Sequence, residues 1–223
     1  MTIKLLISAL LKFIFGVISV GLLIFLPAGT IYYFNGWLLM GVLFVPMLFV
    51  GIAMMLINPE LLRKRIDAKE SLQEQKLIVK LIGLMFVVGF VVSGLGVRLG
   101  WYVLPRNVSI CASGIFIIAY IFYAEVLREN TYLSRTIKVS ENHTVIDSRL
   151  YSIVRHPMYS STLFMFMTVP IILGSLYSLI IFIFYPFIIA QRIKSEEKFL
   201  EKELTGYHKY MQKVKYRLIP FIW

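Results

Sequence analysis

Arg155-His156-Pro157 and Tyr159 stand at the start of an apolar stretch, and Arg192 and Glu196-Glu197 stand at its end. Arg192 and Glu196 are four residues apart, so on a helix they share one face. Charged side chains beside hydrocarbon are expensive and mark sites of function, which makes this bracketed segment the candidate site. The types present suit binding of charged and aromatic groups: guanidinium for an anion, carboxylate for a cation, tyrosine rings for flat or cationic partners. Three His and one Cys are scattered along the chain and give no metal-binding spacing.

The elements that must position these residues follow from composition. Of 223 residues, 59% are hydrophobic and only 16% charged, with a mean hydropathy of +0.79. A soluble domain carries about 25% charged residues, so this is a polytopic membrane protein of the all-α class. The formal net charge of +11 is assigned to cytoplasmic loops that face anionic lipid, not to nucleic acid. Cys111 has no second cysteine to pair with and lies in an apolar run, where it is expected to fill packing space.

A helix of roughly 20 apolar residues crosses a bilayer. Four runs qualify: Leu5 to Leu26, Trp37 to Ile57, Leu77 to Leu99 and Val108 to Leu127. The first is too long for a signal peptide and lacks a small-residue cleavage pattern, so it is expected to stay in place. Lys12 within it should snorkel or face the bundle. Basic residues cluster before the first span, after the second (Arg63, Lys64, Arg65, Lys69, Lys76, Lys80) and after the fourth (Arg128, Arg135, Lys138, Arg149, Arg155), whereas the intervening loops hold Arg98 and Arg106. The positive-inside rule then places both termini in the cytoplasm.

The tail after Ala190 is also basic, so Ser160 to Ala190 should enter the bilayer and return as a helical hairpin rather than cross once. Pro170 and Gly174-Ser175 supply the break. A single kinked helix is the alternative. The predicted architecture is therefore four spanning helices plus a C-terminal membrane helical hairpin and a cytoplasmic helical tail. Asn58-Pro59-Glu60 reads as an N-cap, a proline in the first turn and an acid beside it. Leu61, Leu62, Ile66 and Leu72 alternating with charges then predict an interfacial helix. Tyr32-Tyr33-Phe34, Trp37 and Trp101-Tyr102 fit aromatic belts at the outer side. The chain divides at about residue 76, with a helix pair and interfacial helix over 1–76 and a catalytic core over 77–223.

Within that core, Asn142-His143-Thr144-Val145-Ile146-Asp147, Arg-His-Pro-x-Tyr at 155–159, Arg192-x-x-x-Glu196-Glu197 and Gly206-Tyr207-x-x-Tyr210 occur in order. In combination they resemble the isoprenylcysteine carboxyl methyltransferase family of integral membrane enzymes, in the broad sense that includes bacterial and archaeal relatives. The resemblance covers roughly the last hundred residues. It implies S-adenosylmethionine as cofactor, a lipophilic substrate entering from the membrane and a plasma-membrane location in a bacterium or archaeon. By position it implies that His143, Thr144, Val145, Ile146, Tyr151, His156, Pro157, Met158 and Tyr159 line the cofactor. Glu196 would take its amino or ribose end, and Arg192 would meet a substrate carboxylate as the catalytic residue. A carboxylate is already ionised near neutral pH and needs no general base, so positioning and desolvation would do most of the catalysis.

Three departures bear on the substrate. Arg149 replaces a glycine common in relatives, where it can change the turn or reach an acidic substrate. Ser160-Ser161 replace a small residue followed by glycine, and Ser140 replaces a glutamine. A thiol acceptor, a phospholipid or amine N-methyltransferase and a non-catalytic binding protein or scaffold remain open. Sterol reductases carry a related signature but need NADPH.

Overall fold

The computed structural model describes residues 3–66, 73–133 and 144–223. Among these the chain is helical throughout: α1 (Ile3–Ala28), α2 (Phe34–Ile57), α3 (Pro59–Ile66), α4 (Gln73–Arg98), α5 (Arg106–Glu129), a 3-10 turn (Arg149–Ser152), α6 (Pro157–Ile172), α7 (Leu176–Phe182), α8 (Tyr185–Glu203) and α9 (Tyr207–Lys213). Five of the described stretches are long and apolar enough to cross a membrane: α1, α2, α4, α5 and the α7–α8 rod. Large apolar side chains such as Phe15, Leu56, Ile118 and Phe187 stand outward on these helices, an arrangement suited to hydrocarbon and costly in water. Cys111 lies on that outward surface, so it is not the packing filler expected from its apolar run.

α1 packs on α4, α2 on α5, α5 on α6, and α4 on α7. At Gly94 a β-carbon would come within 2.5 Å of the Ile24 carbonyl, so only glycine admits this approach of α1 to α4. Phe86, Phe166 and Phe182 meet edge to face at the centre of the core, a favoured aromatic geometry.

The hairpin forms, and its helices are longer than the apolar stretch. Its limbs extend to Pro157 and Glu203, beyond the apolar limits at Ser160 and Ala190, because the charged site residues themselves are helical. Its tip pairs with the α4–α5 connection: Leu104 N–H donates to the Gly174 carbonyl at 2.9 Å, and Val103 bridges to Ser175. Gly174 has φ +70°, and a β-carbon there would lie 2.5 Å from Asn35 Nδ2. Ser175 caps α7 by accepting from Ser178 N–H. Tyr33, expected in the aromatic belt, is instead buried, donating its hydroxyl to the Leu173 carbonyl at 2.5 Å.

The basic end is tied by α3. Asn58 Oδ1 accepts from Leu61 N–H at 3.0 Å, as the capping pattern predicts, and Leu61 and Leu62 are buried. Leu72 lies outside the described residues. Lys12 has a definite partner: its Nζ donates to the Ile66 carbonyl at 2.9 Å, placing a cation at the carbonyl end of α3. Arg65 on the same short helix donates to Met158 Sδ and to the Tyr123 hydroxyl. Helix α3 and the site wall are thereby joined.

Candidate active site

Three connections build the site at the basic end. Asn130 closes α5: its Oδ1 accepts from Tyr132 N–H at 3.0 Å and its Nδ2 donates to the Tyr151 hydroxyl at 3.1 Å. The 3-10 turn carrying Tyr151 is held by Glu129, which accepts from Ser148 Oγ at 2.8 Å and Leu150 N–H at 3.3 Å. Arg149 begins that turn with φ +38°, a left-handed conformation that glycine adopts more easily. The turn forms with arginine there, and the Arg149 side chain pairs with Glu125 at 3.1 Å. It does not line the cavity below it.

Pro157 then opens α6 in its first turn, and the hairpin returns α8 beside it. Tyr159 receives Arg192 Nε on its hydroxyl at 2.9 Å and donates that hydroxyl to Glu196 Oε2 at 2.5 Å. Tyr159 and Arg192 are buried, and Glu196 is half-buried. Adjacent helix residues differ in direction by about 100°. Glu197 therefore faces elsewhere: its carboxylate accepts from Arg155 Nε at 2.6 Å and Arg217 Nε at 2.7 Å, and lies 3.2 Å from His156 Nε2.

The tail closes the far side. Arg155 donates through one terminal nitrogen to the Val214 and Lys215 carbonyls, and the His156 N–H donates to the Arg217 carbonyl. Gly206, at φ +90°, turns the chain from α8 into α9. Tyr210 then donates to the Tyr151 carbonyl at 2.7 Å. Burial pushes the Tyr151 and Tyr210 phenols above their usual range, so both stay neutral near pH 7. The Lys213 ammonium, 2.6 Å from Asp147, holds that carboxyl below the ordinary range.

One cavity gathers most of the expected residues: Val145, Ile146, Tyr151, His156, Met158, Tyr159, Arg192 and Glu196 line it. Pro157 is fully buried and lies off its surface, and Thr144 is exposed and also off it. His143 and Ser140 lie outside the described residues. The cavity adds Asn130, Arg155, Leu200, Leu204, Tyr207 and Tyr210 among others. Arg192, Glu196, Leu200 and Leu204 form a stripe of period four, readable in the sequence as one helix face. Tyr207 and Tyr210 belong to a motif whose individual roles its spacing alone does not reveal.

The isoprenylcysteine carboxyl methyltransferase family model matches residues 111–202. The likeness to that family covers this segment, under half of the chain. The match runs from α5 through nearly all of α8 and so contains the Arg192, Tyr159 and Glu196 cluster. It stops before α9 and the tail that closes the cavity. No curated protein matches the chain. Among the described residues, five helices are long and apolar enough to cross a membrane, and with the matched segment they support an integral membrane protein.

Proposed function

We propose that the protein transfers a methyl group from S-adenosylmethionine to the carboxylate of a lipophilic, isoprenylcysteine-like substrate. The observation that carries this reading is Arg192, held through Nε by the Tyr159 hydroxyl on the wall of a cavity that also contains Glu196. The residues fit the cofactor in kind: a carboxylate for its amino group, tyrosine faces for its sulfonium and base, and Val145, Ile146 and Leu200 as an apolar wall. When bound, the cofactor supplies an electrophilic methyl; a substrate carboxylate oxygen takes it, and the electron pair of the broken carbon–sulfur bond stays on sulfur. The nucleophile carries no proton, so the chain's task is to orient and desolvate. Tyr159 fixes the guanidinium plane, Arg192 aligns the carboxylate, and the apolar wall excludes water. A guanidinium in this position repels a cationic amine.

The same end of the molecule carries Arg63, Lys64 and Arg65 on α3. We place this end at the cytoplasmic leaflet, where anionic lipid attracts it. A substrate with its chain in the bilayer then presents its carboxylate at the level of Arg192. The test is to supply methyl-labelled S-adenosylmethionine and farnesylcysteine to purified protein in detergent. Label released as methanol by base marks a methyl ester and supports the reading. Base-stable label in an amine lipid, or bound cofactor with no transfer to any acceptor, overturns it in favour of the amine or scaffold alternatives.

A further inference from the structure

Four of the five cavity tyrosines, Tyr151, Tyr159, Tyr207 and Tyr210, can be compared by what their hydroxyls meet. Tyr151 accepts from Asn130, Tyr159 bonds both Arg192 and Glu196, and Tyr210 donates to the Tyr151 carbonyl. The Tyr207 hydroxyl is buried and has no hydrogen-bond partner among the described residues. A buried, unpartnered hydroxyl costs free energy that a phenylalanine would avoid. Its residue lines the cavity, so an entering ligand can supply what the protein does not.

The cavity has two kinds of wall. Tyr159 belongs to the main membrane core, and with Arg192 and Glu196 it forms the charged end. Tyr207 belongs to a second apolar cluster with Tyr210, Leu204 and Tyr151, and Val145 packs against it. The Tyr207 and Tyr210 rings lie 5.7 Å apart, centre to centre. Such a wall suits a flat, neutral heteroaromatic group, which needs apolar contact over its faces and a single donor at its edge.

The geometry points to Tyr207 as the adenine-reading residue, with its hydroxyl donating to a ring nitrogen of the cofactor's base. This rests on S-adenosylmethionine being the cofactor. The charged head and sulfonium then lie toward Glu196, and the base lies toward α9. Tyr207 is beyond the segment that matches the family model, so the assignment rests on this chain's own geometry.

The test is calorimetric titration of S-adenosylhomocysteine and its 1-, 3- and 7-deaza analogues into the full-length wild type and Tyr207→Phe. Wild type is expected to bind one deaza analogue about five- to tenfold more weakly than the parent, the value of one hydrogen bond. Tyr207→Phe should lose the same factor on the parent and no longer distinguish that analogue, with its unliganded melting temperature equal to or above wild type. Unchanged affinity in the variant, or equal loss on all four ligands, overturns the assignment. If Tyr207→Phe does not fold, the wild-type deaza series decides alone: no discrimination among the analogues overturns it. Wild type that binds none of the four ligands overturns the cofactor reading itself.

Discussion

Glu196 and Glu197 are neighbours of identical type, yet they belong to different regions. Glu197 is buried among Arg155, His156 and Arg217, which fasten α6 and α8 to the C-terminal tail. Glu196 is half-buried on the cavity, bonded to Tyr159 and through it linked to Arg192. The turn of the helix between them separates a structural hub from a cavity-facing group. A buried charge with several partners holds the architecture, whereas a carboxylate with one neutral donor retains capacity for a cationic ligand.

The largest effect should come from breaking the hub. Glu197→Gln leaves three cationic or polar partners without their counter-charge, and removing one member of a buried ion pair costs about 3–5 kcal/mol. Thermal unfolding in detergent should show a melting temperature lowered by roughly 6–20 °C. A variant with wild-type stability but no ligand binding would exchange the roles assigned to the two carboxylates.

Next is Arg192→Lys, which sharpens the pocket side. Lysine keeps the charge and loses the planar fork, so turnover should fall ten- to a hundredfold, the worth of about 1.5–3 kcal/mol in one charge-assisted contact. Cofactor affinity and melting temperature should stay near wild type. Full turnover in this variant would remove the carboxylate-aligning role.

The smallest expected change is Glu129→Gln. Its carboxylate holds Ser148 and Leu150 at the turn before Tyr151, and a neutral amide can still accept one of these bonds. A stability loss of about 1 kcal/mol, with S-adenosylhomocysteine affinity unchanged, is the expected outcome by melting and titration. A tenfold affinity loss would mean that the turn, and not only the cavity-lining groups, controls binding.

Much of the fold was legible because membrane helices declare themselves by length and apolarity. The Asn58 cap and the Gly174 break were local signals and are realised locally. The length of the hairpin's limbs was not, since they continue into charged residues that hydropathy excludes. The partners of Lys12 and Tyr33 lie 54 and 140 residues away, and no periodicity reports such contacts. In the site, motif types located the Arg192, Tyr159 and Glu196 cluster. The division between Glu196 and Glu197 required the tail, because Arg217 and the carbonyls that hold Arg155 come from residues with no pattern linking them to 155–159.

The most direct test of the central claim is titration of S-adenosylhomocysteine into wild type and Glu196→Gln, with melting curves recorded on the same samples. The account predicts that wild type binds, that Glu196→Gln binds roughly ten- to a hundredfold more weakly through loss of a charge-assisted contact, and that the two proteins melt within about 2–4 °C of each other. No binding by wild type, or equal affinity in the two proteins, would contradict it.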